Sequence, residues 1–287
     1  MSFLQTAVLG AIAGLTIYLG LPIARLHRVD DRLRVGLAMF SVGVLAFVFM
    51  DVTKHGQAIV ETTLASYKVH QASFPHVLGL FALLAVGFAV GTGGIPTLQR
   101  RLRGRGSMRP PVAGGESTAT FTPNELVSHE AALSAARARA LKTGMTIAVA
   151  IGLHNFAEGL AIGVSARAGA LSLATVLVIG FALHNATEGF GIAGPLADVK
   201  PSWGWLGIVG LVGGGPTLVG SMVGYQVHSA ALQLAFYAVA GGAVIYVIGE
   251  IWHGVRRFGR RELGLYALAA GFLVGVATDL LVAYGGG

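Results

Sequence analysis

Residues 145–165 read MTIAVAIGLHNFAEGLAIGVS, and residues 174–194 read ATVLVIGFALHNATEGFGIAG. Each stretch is long enough to cross a hydrocarbon layer as a helix, and the only charged residue in each is a glutamate. One phrase recurs in both: His154-Asn155-Phe156-Ala157-Glu158-Gly159 and His184-Asn185-Ala186-Thr187-Glu188-Gly189. A charged side chain at the centre of a membrane helix costs about 2.5–3.5 kcal/mol on insertion scales, so two of them demand partners. His and Glu four apart project from one helical face, about 6 Å apart along the axis. Two such faces turned together make a cage of two imidazoles, two carboxylates and two carboxamides. The plainer alternative is polar glue, each His or Asn satisfied by a neighbouring helix. Duplication of the whole phrase favours a metal site.

The rest of the chain has the same character. Its 287 residues have a mean hydropathy of +0.71 and only 11% charged residues, which excludes an ordinary soluble domain. Eight apolar runs predict eight spanning helices, at about 4–24, 35–53, 75–98, 143–165, 170–194, 203–225, 230–252 and 264–284. The expected fold is an all-α polytopic membrane protein, a single transporter-like domain over 1–287 with the site between the fourth and fifth spans. The first three spans fill 1–98, a partly flexible loop covers 99–142, and the remaining five fill 143–287. Glycine pairs at small-xxx-small spacing, Gly10/Gly14, Gly220/Gly224 and Gly271/Gly275, predict close helix packing. Such glycine-rich faces are also compatible with a homodimer.

The net charge of +7 is topological. Of the 20 lysines and arginines, 17 fall on one side of the predicted spans, and only Lys54, Lys68 and Arg167 fall on the other. The positive-inside bias puts the 99–142 loop in the cytoplasm and both termini outside. Anionic lipid, not nucleic acid, is the partner this charge suits. No basic residue precedes the first span, so it reads as retained and not as a cleavable signal. The absence of cysteine removes disulfides and thiolate metal ligands.

Within 99–142, the Pro110-Pro111 and Gly114-Gly115 region reads as linker, and Glu125–Leu141 has helical composition with Thr122 or Asn124 as cap. That helix would extend into the fourth span, with His129 and Glu130 solvated. The fourth and fifth spans are similar and oppositely directed, as in inverted-repeat bundles with a site near the midplane. Pro195 ends the fifth. The four-residue set His154, Glu158, His184 and Glu188 suits a borderline divalent ion: imidazole favours zinc or iron, and carboxylate with carboxamide admits manganese. Asn155 and Asn185 could serve a weaker neighbouring site. Five more residues could line a path: Asp51 and His55 at the outer end of the second span, Glu250 and His253 at the inner end of the seventh, and Asp279 facing inward from the eighth. No prosthetic group is expected, because the metal is cargo. An intramembrane metal-dependent hydrolase is the rival class, disfavoured because no separate general base or oxyanion donor is apparent.

These motifs give the chain its resemblance to the ZIP (Zrt-, Irt-like) family of divalent metal transporters, particularly bacterial members. There the fourth helix carries His-Asn-x-x-Glu-Gly and the fifth a related phrase running to Ala-Gly-Pro, here Ala193-Gly194-Pro195. The close match covers about 145–198. The resemblance implies a multi-pass protein of a bacterial inner membrane, with His154, Glu158, His184 and Glu188 as the principal transport site. It also implies a second site at Asn155 and Asn185, shared through the glutamates. Many members have proline before each motif glutamate, where this chain has Ala157 and Thr187. Many supply a further acid from the sixth helix just before a proline. Here that place reads Gly215-Pro216-Thr217, and no acid occurs between Asp198 and Glu250. One metal is therefore expected.

Overall fold

The computed structural model describes residues 1–25, 30–102, 123–167, 171–196, 199–227 and 229–286. The elements are α1 (Phe3–Leu15), α2 (Ile17–Gly20) with a 3-10 turn over Leu21–Arg25, α3 (Asp31–Lys68), α4 (Phe74–Leu102), α5 (Pro123–Arg167), α6 (Leu171–Ala193), α7 (Trp203–Gln226), α8 (Ala230–Val255) and α9 (Arg261–Gly286). Seven segments are long and apolar enough to cross a membrane, the first being α1, α2 and the turn together. The 23-residue α6 has the length of an eighth and packs among them.

Local chemistry sets the helix starts. Ser2 and Gln5 form a reciprocal capping box at α1, and the hydroxyls of Ser202 and Ser229 accept from backbone N–H groups at the starts of α7 and α8. Pro195 lies in a 3-10 turn over Gly194–Leu196 directly after α6, the stop expected of it. Two helices run further than their apolar stretches. The first is α3, which continues to Lys68 instead of ending near 53. Its polar half sustains itself: Gln57 Nε2 donates to Glu61 Oε1 at 2.6 Å, and the hydroxyls of Thr62, Thr63 and Ser66 donate to carbonyls one turn back. The second is α5, in which the alanine-rich run and the fourth span are one 45-residue helix. Pro123 opens it, a position where a missing N–H costs nothing. Asn124 lies inside that helix, and Thr122 falls outside the described residues.

Burial ranks the helices by depth. The spanning window of α5 is 72% buried and that of α9 only 17%, so α5 is central and α9 peripheral. Its main neighbour is α7. Glycines make the seam between them: a Cβ on Gly159 would strike the Thr217 carbonyl, and one on Gly220 the Phe156 carbonyl. All three predicted glycine pairs lie at such close approaches, Gly10 and Gly14 against α7, and Gly271 and Gly275 against α3. Where no apolar surface can be withdrawn from water, this backbone-to-backbone contact is what holds helices together.

Replacing Gly220 by Val should therefore separate α5 from α7, with a cost of about 1–3 kcal/mol or more for overpacking. Gly207, whose Cβ would meet nothing, should accept Ala with a rise of about 0.5–1 kcal/mol. Thermal unfolding of both variants in detergent reads the contrast, and equal melting temperatures would count against the seam.

Candidate metal site

The five described motif side chains, His154, Asn155, Glu158, Asn185 and Glu188, are 0–3% exposed. On α5, His154, Asn155 and Glu158 share one face, because steps of three and four bring side chains back to the same side. Glu188 approaches from α6. His154 Nε2 lies 2.9 Å from Glu158 Oε1 and 3.8 Å from Glu188 Oε1, so one imidazole stands between two carboxylates. Asn155 Nδ2 donates to Glu188 Oε2 at 3.1 Å and to the Gly213 carbonyl of α7 at 3.0 Å. Both neighbours are pure acceptors, which fixes the amide with its nitrogen toward them.

Three elements thus converge: α5 supplies the imidazole and one carboxylate, α6 the other carboxylate, and α7 a backbone oxygen. Pro216, which cannot donate to the Val212 carbonyl, interrupts the α7 ladder one residue from the Gly213 carbonyl. The tight α5–α7 seam sets the reach.

Asn185, the counterpart of Asn155, does a parallel task on the other side. Its Nδ2 donates to the Ala13 carbonyl at 3.1 Å. The same carbonyl also accepts from the Thr16 hydroxyl at 2.6 Å and from the Thr16 N–H at 3.4 Å, where the first span breaks. Just beyond, Gly20 and Gly189 meet backbone to backbone, seating α2 on the motif glycine of α6. The first span, which the sequence presents as a plain anchor, therefore positions the second motif. For both asparagines the amide nitrogen is interhelical glue, while each Oδ1 is buried without a hydrogen-bond partner among the described residues.

The His184 side chain lies outside the described residues; its backbone is in α6, one turn before Glu188. Of the path residues, the structure joins Asp51 and His55, whose Nδ1 is 2.9 Å from the Asp51 carbonyl and 3.7 Å from its carboxylate, with the ring against Tyr237. Glu250 is half-buried and His253 exposed near the end of α8. Asp279 does not face inward: it is exposed, because the peripheral α9 packs by one narrow glycine stripe. His129 and Glu130 are exposed, as expected of a solvated helix. Two buried hydroxyls escaped the sequence reading. Ser41 lies against Gly191, one turn from Glu188, and Thr217 lies one turn from Gly213; neither hydroxyl has a partner among the described residues. Serine and threonine in an apolar run carry no distinguishing spacing.

The donors suit a divalent ion. A tetrahedral site with bonds of about 2.0–2.2 Å spaces its ligand atoms about 3.3–3.6 Å apart. The 2.9 and 3.8 Å separations around His154 straddle that spacing, so sub-ångström shifts would open the trio to an ion. As they stand, no three described His, Asp or Glu side chains form a ready-made coordination set.

Bundle and site together define a polytopic α-helical membrane protein with an imidazole–carboxylate centre inside it. Residues 112–249, which hold both motifs, match the family model described as ZIP Zinc transporter. The zinc transporter ZupT of Clostridium perfringens (strain 13 / Type A) is 34% identical over 151 residues, which cover 50% of this chain and 51% of that protein. The chain thus matches about half the length of that curated relative.

Removing the Asn155 amide should leave Glu188 buried without its donor. Asn155→Ala is expected to lose about 1.5–3 kcal/mol of stability, the range for a hydrogen bond to a charged group. In a Glu188→Gln background the same change should cost clearly less. Unfolding of the four proteins in detergent with a chelator closes that cycle, and equal losses in both backgrounds would mean that the bond contributes nothing.

Proposed function

We propose that the protein carries divalent metal ions, zinc foremost, across the membrane into the cytoplasm through the His154–Glu158–Glu188 centre, with His184 as a fourth ligand. The observation that carries this reading is the buried trio itself. One imidazole is held between two carboxylates from different helices, in a segment that matches the ZIP family model. Two ionised carboxylates and a neutral imidazole balance one M²⁺. The similarity to a protein described as a zinc transporter supports zinc over iron, manganese and cadmium.

In this reading the ion reaches Asp51 and His55 first, loses water as it enters the bundle, and binds between α5 and α6. It leaves past Glu250 and His253 on the side rich in arginine, which the positive-inside bias assigns to the cytoplasm. Borderline ligands and one charge-balanced ion bind firmly enough for entry without trapping the ion. The metal is substrate, not cofactor, and the chain acts as a transporter, not an enzyme. The asparagines hold α5 on α7 and α6 on α1, so they act as scaffold more than as ligands of a second site.

Radioactive zinc uptake into proteoliposomes tests this. Glu188→Ala should cut flux at least tenfold while the protein stays monodisperse and helical, and unlabelled manganese, iron and cadmium should compete more weakly than zinc. Wild-type flux in a folded Glu188→Ala variant would overturn the proposal. Tight binding with no flux in the wild type would turn attention to metal-dependent hydrolysis. Asp51→Asn should lower uptake several-fold at limiting zinc and little at saturation, as expected of a capture residue outside the centre.

A further inference from the structure

At the arginine-rich end of the bundle, α3, α8 and α9 enclose a cavity of about 420 Å³ that the metal path does not use. Its inner wall is apolar, with Val35 and Met39 of α3. Its outer lip carries Trp252, 39% exposed, and Leu265, 45% exposed. Its rim is cationic: Arg256, Arg260 and Arg261 all line it, brought together by the reversal at Gly259, where φ is +64°. That reversal takes the chain from α8 to α9 in a single 3-10 turn and leaves the three guanidinium groups around one opening. Asp31 pairs with Arg34 at 3.5 Å, and exposed Glu262 is not among the residues lining the cavity.

We infer that this cavity binds an anionic phospholipid, the phosphate seated among Arg256, Arg260 and Arg261 and the upper acyl chain along Val35, Met39 and Leu265. Guanidinium forks match phosphate oxygens in pairs, and basic pockets between membrane helices suit anionic headgroups. Tryptophan at the lip fits the headgroup level of a bilayer. A free phosphate would use the rim and leave the apolar wall bare, which is why the lipid is the better occupant. Lipid capture here clasps the α8–α9 turn to α3 and is independent of whether the bundle moves metal.

Native mass spectrometry of the whole protein in detergent tests this, with phosphatidylglycerol and phosphatidylcholine of identical chains as probes. Phosphatidylglycerol should be retained and phosphatidylcholine lost. At about fivefold per basic residue, R256Q/R260Q/R261Q should weaken retention about a hundredfold. The exposed arginines elsewhere on that side provide the control: R100Q/R139Q should leave retention within twofold. Should the triple variant fold poorly, Arg260→Gln alone should give about the fivefold step. Equal retention of the two lipids, an unmoved R260Q, or displacement of phosphatidylglycerol by inorganic phosphate at equal concentration would each overturn the inference.

Discussion

Two carboxylates held inside an apolar bundle are the constraint from which the rest of this architecture follows. Glu158 and Glu188 are 3% and 0% exposed, in a setting where an unpartnered charge would disfavour the fold. The molecule answers with proximity. A single imidazole contacts both carboxylates, and one carboxamide donates to the second. Such contacts are short-ranged, so helix backbones must approach more closely than ordinary side chains permit. The glycines of α5, α7 and the first span meet that requirement, placing backbone against backbone around the site. Glycine content and buried acids are two sides of one solution.

The doubled phrase looks like one chemical unit repeated, yet its residues take two kinds of partner. His154, Glu158 and Glu188 meet between α5 and α6, and the two Asn amides donate between helices. Asn155 reaches the Gly213 carbonyl on α7, and Asn185 reaches the Ala13 carbonyl on α1. Both carbonyls stand beside helix irregularities, Pro216 in one case and the break at Thr16 in the other. A regular helix spends its carbonyls on its own ladder. The reading of the motif as polar glue holds for the asparagine nitrogens.

Much of this was legible in the sequence, because apolar run length, glycine spacing and the recurrence of His-Asn-x-x-Glu-Gly are all local signals. The helix starts at Ser202 and Ser229, the stop at Pro195 and the three glycine pairs required no tertiary knowledge. What escaped depends on partners distant in the chain. The Ala13 and Gly213 carbonyls have no side-chain identity to read. Ser41 and Thr217 matter only because of what lies opposite them. The polar half of α3 was hidden because hydropathy marks where a membrane ends, not where a helix ends; its hydrogen bonds carry it 15 residues past the expected boundary at 53. Asp279 was assigned inward on the premise that a charge in a span must be covered. The premise ignored how little of α9 is packed, 17% of its window.

The composition of α7 bears most directly on how many ions such a centre holds. At the place where ZIP relatives carry an acid before proline, this chain has Gly215 before Pro216, and two residues earlier Gly213 offers Asn155 a carbonyl. A carbonyl contributes a dipole where a carboxylate would contribute a full charge. The acids in the centre are then two, and one divalent ion neutralises them. A second ion would bring two positive charges to a centre whose acids the first already balances, with desolvation of those charges left uncompensated. The Asn155 amide nitrogen already occupies the flank of Glu188 on which such an ion would bridge. With no acid on α7 at that place, the charge of Glu158 and Glu188 matches that of one divalent ion.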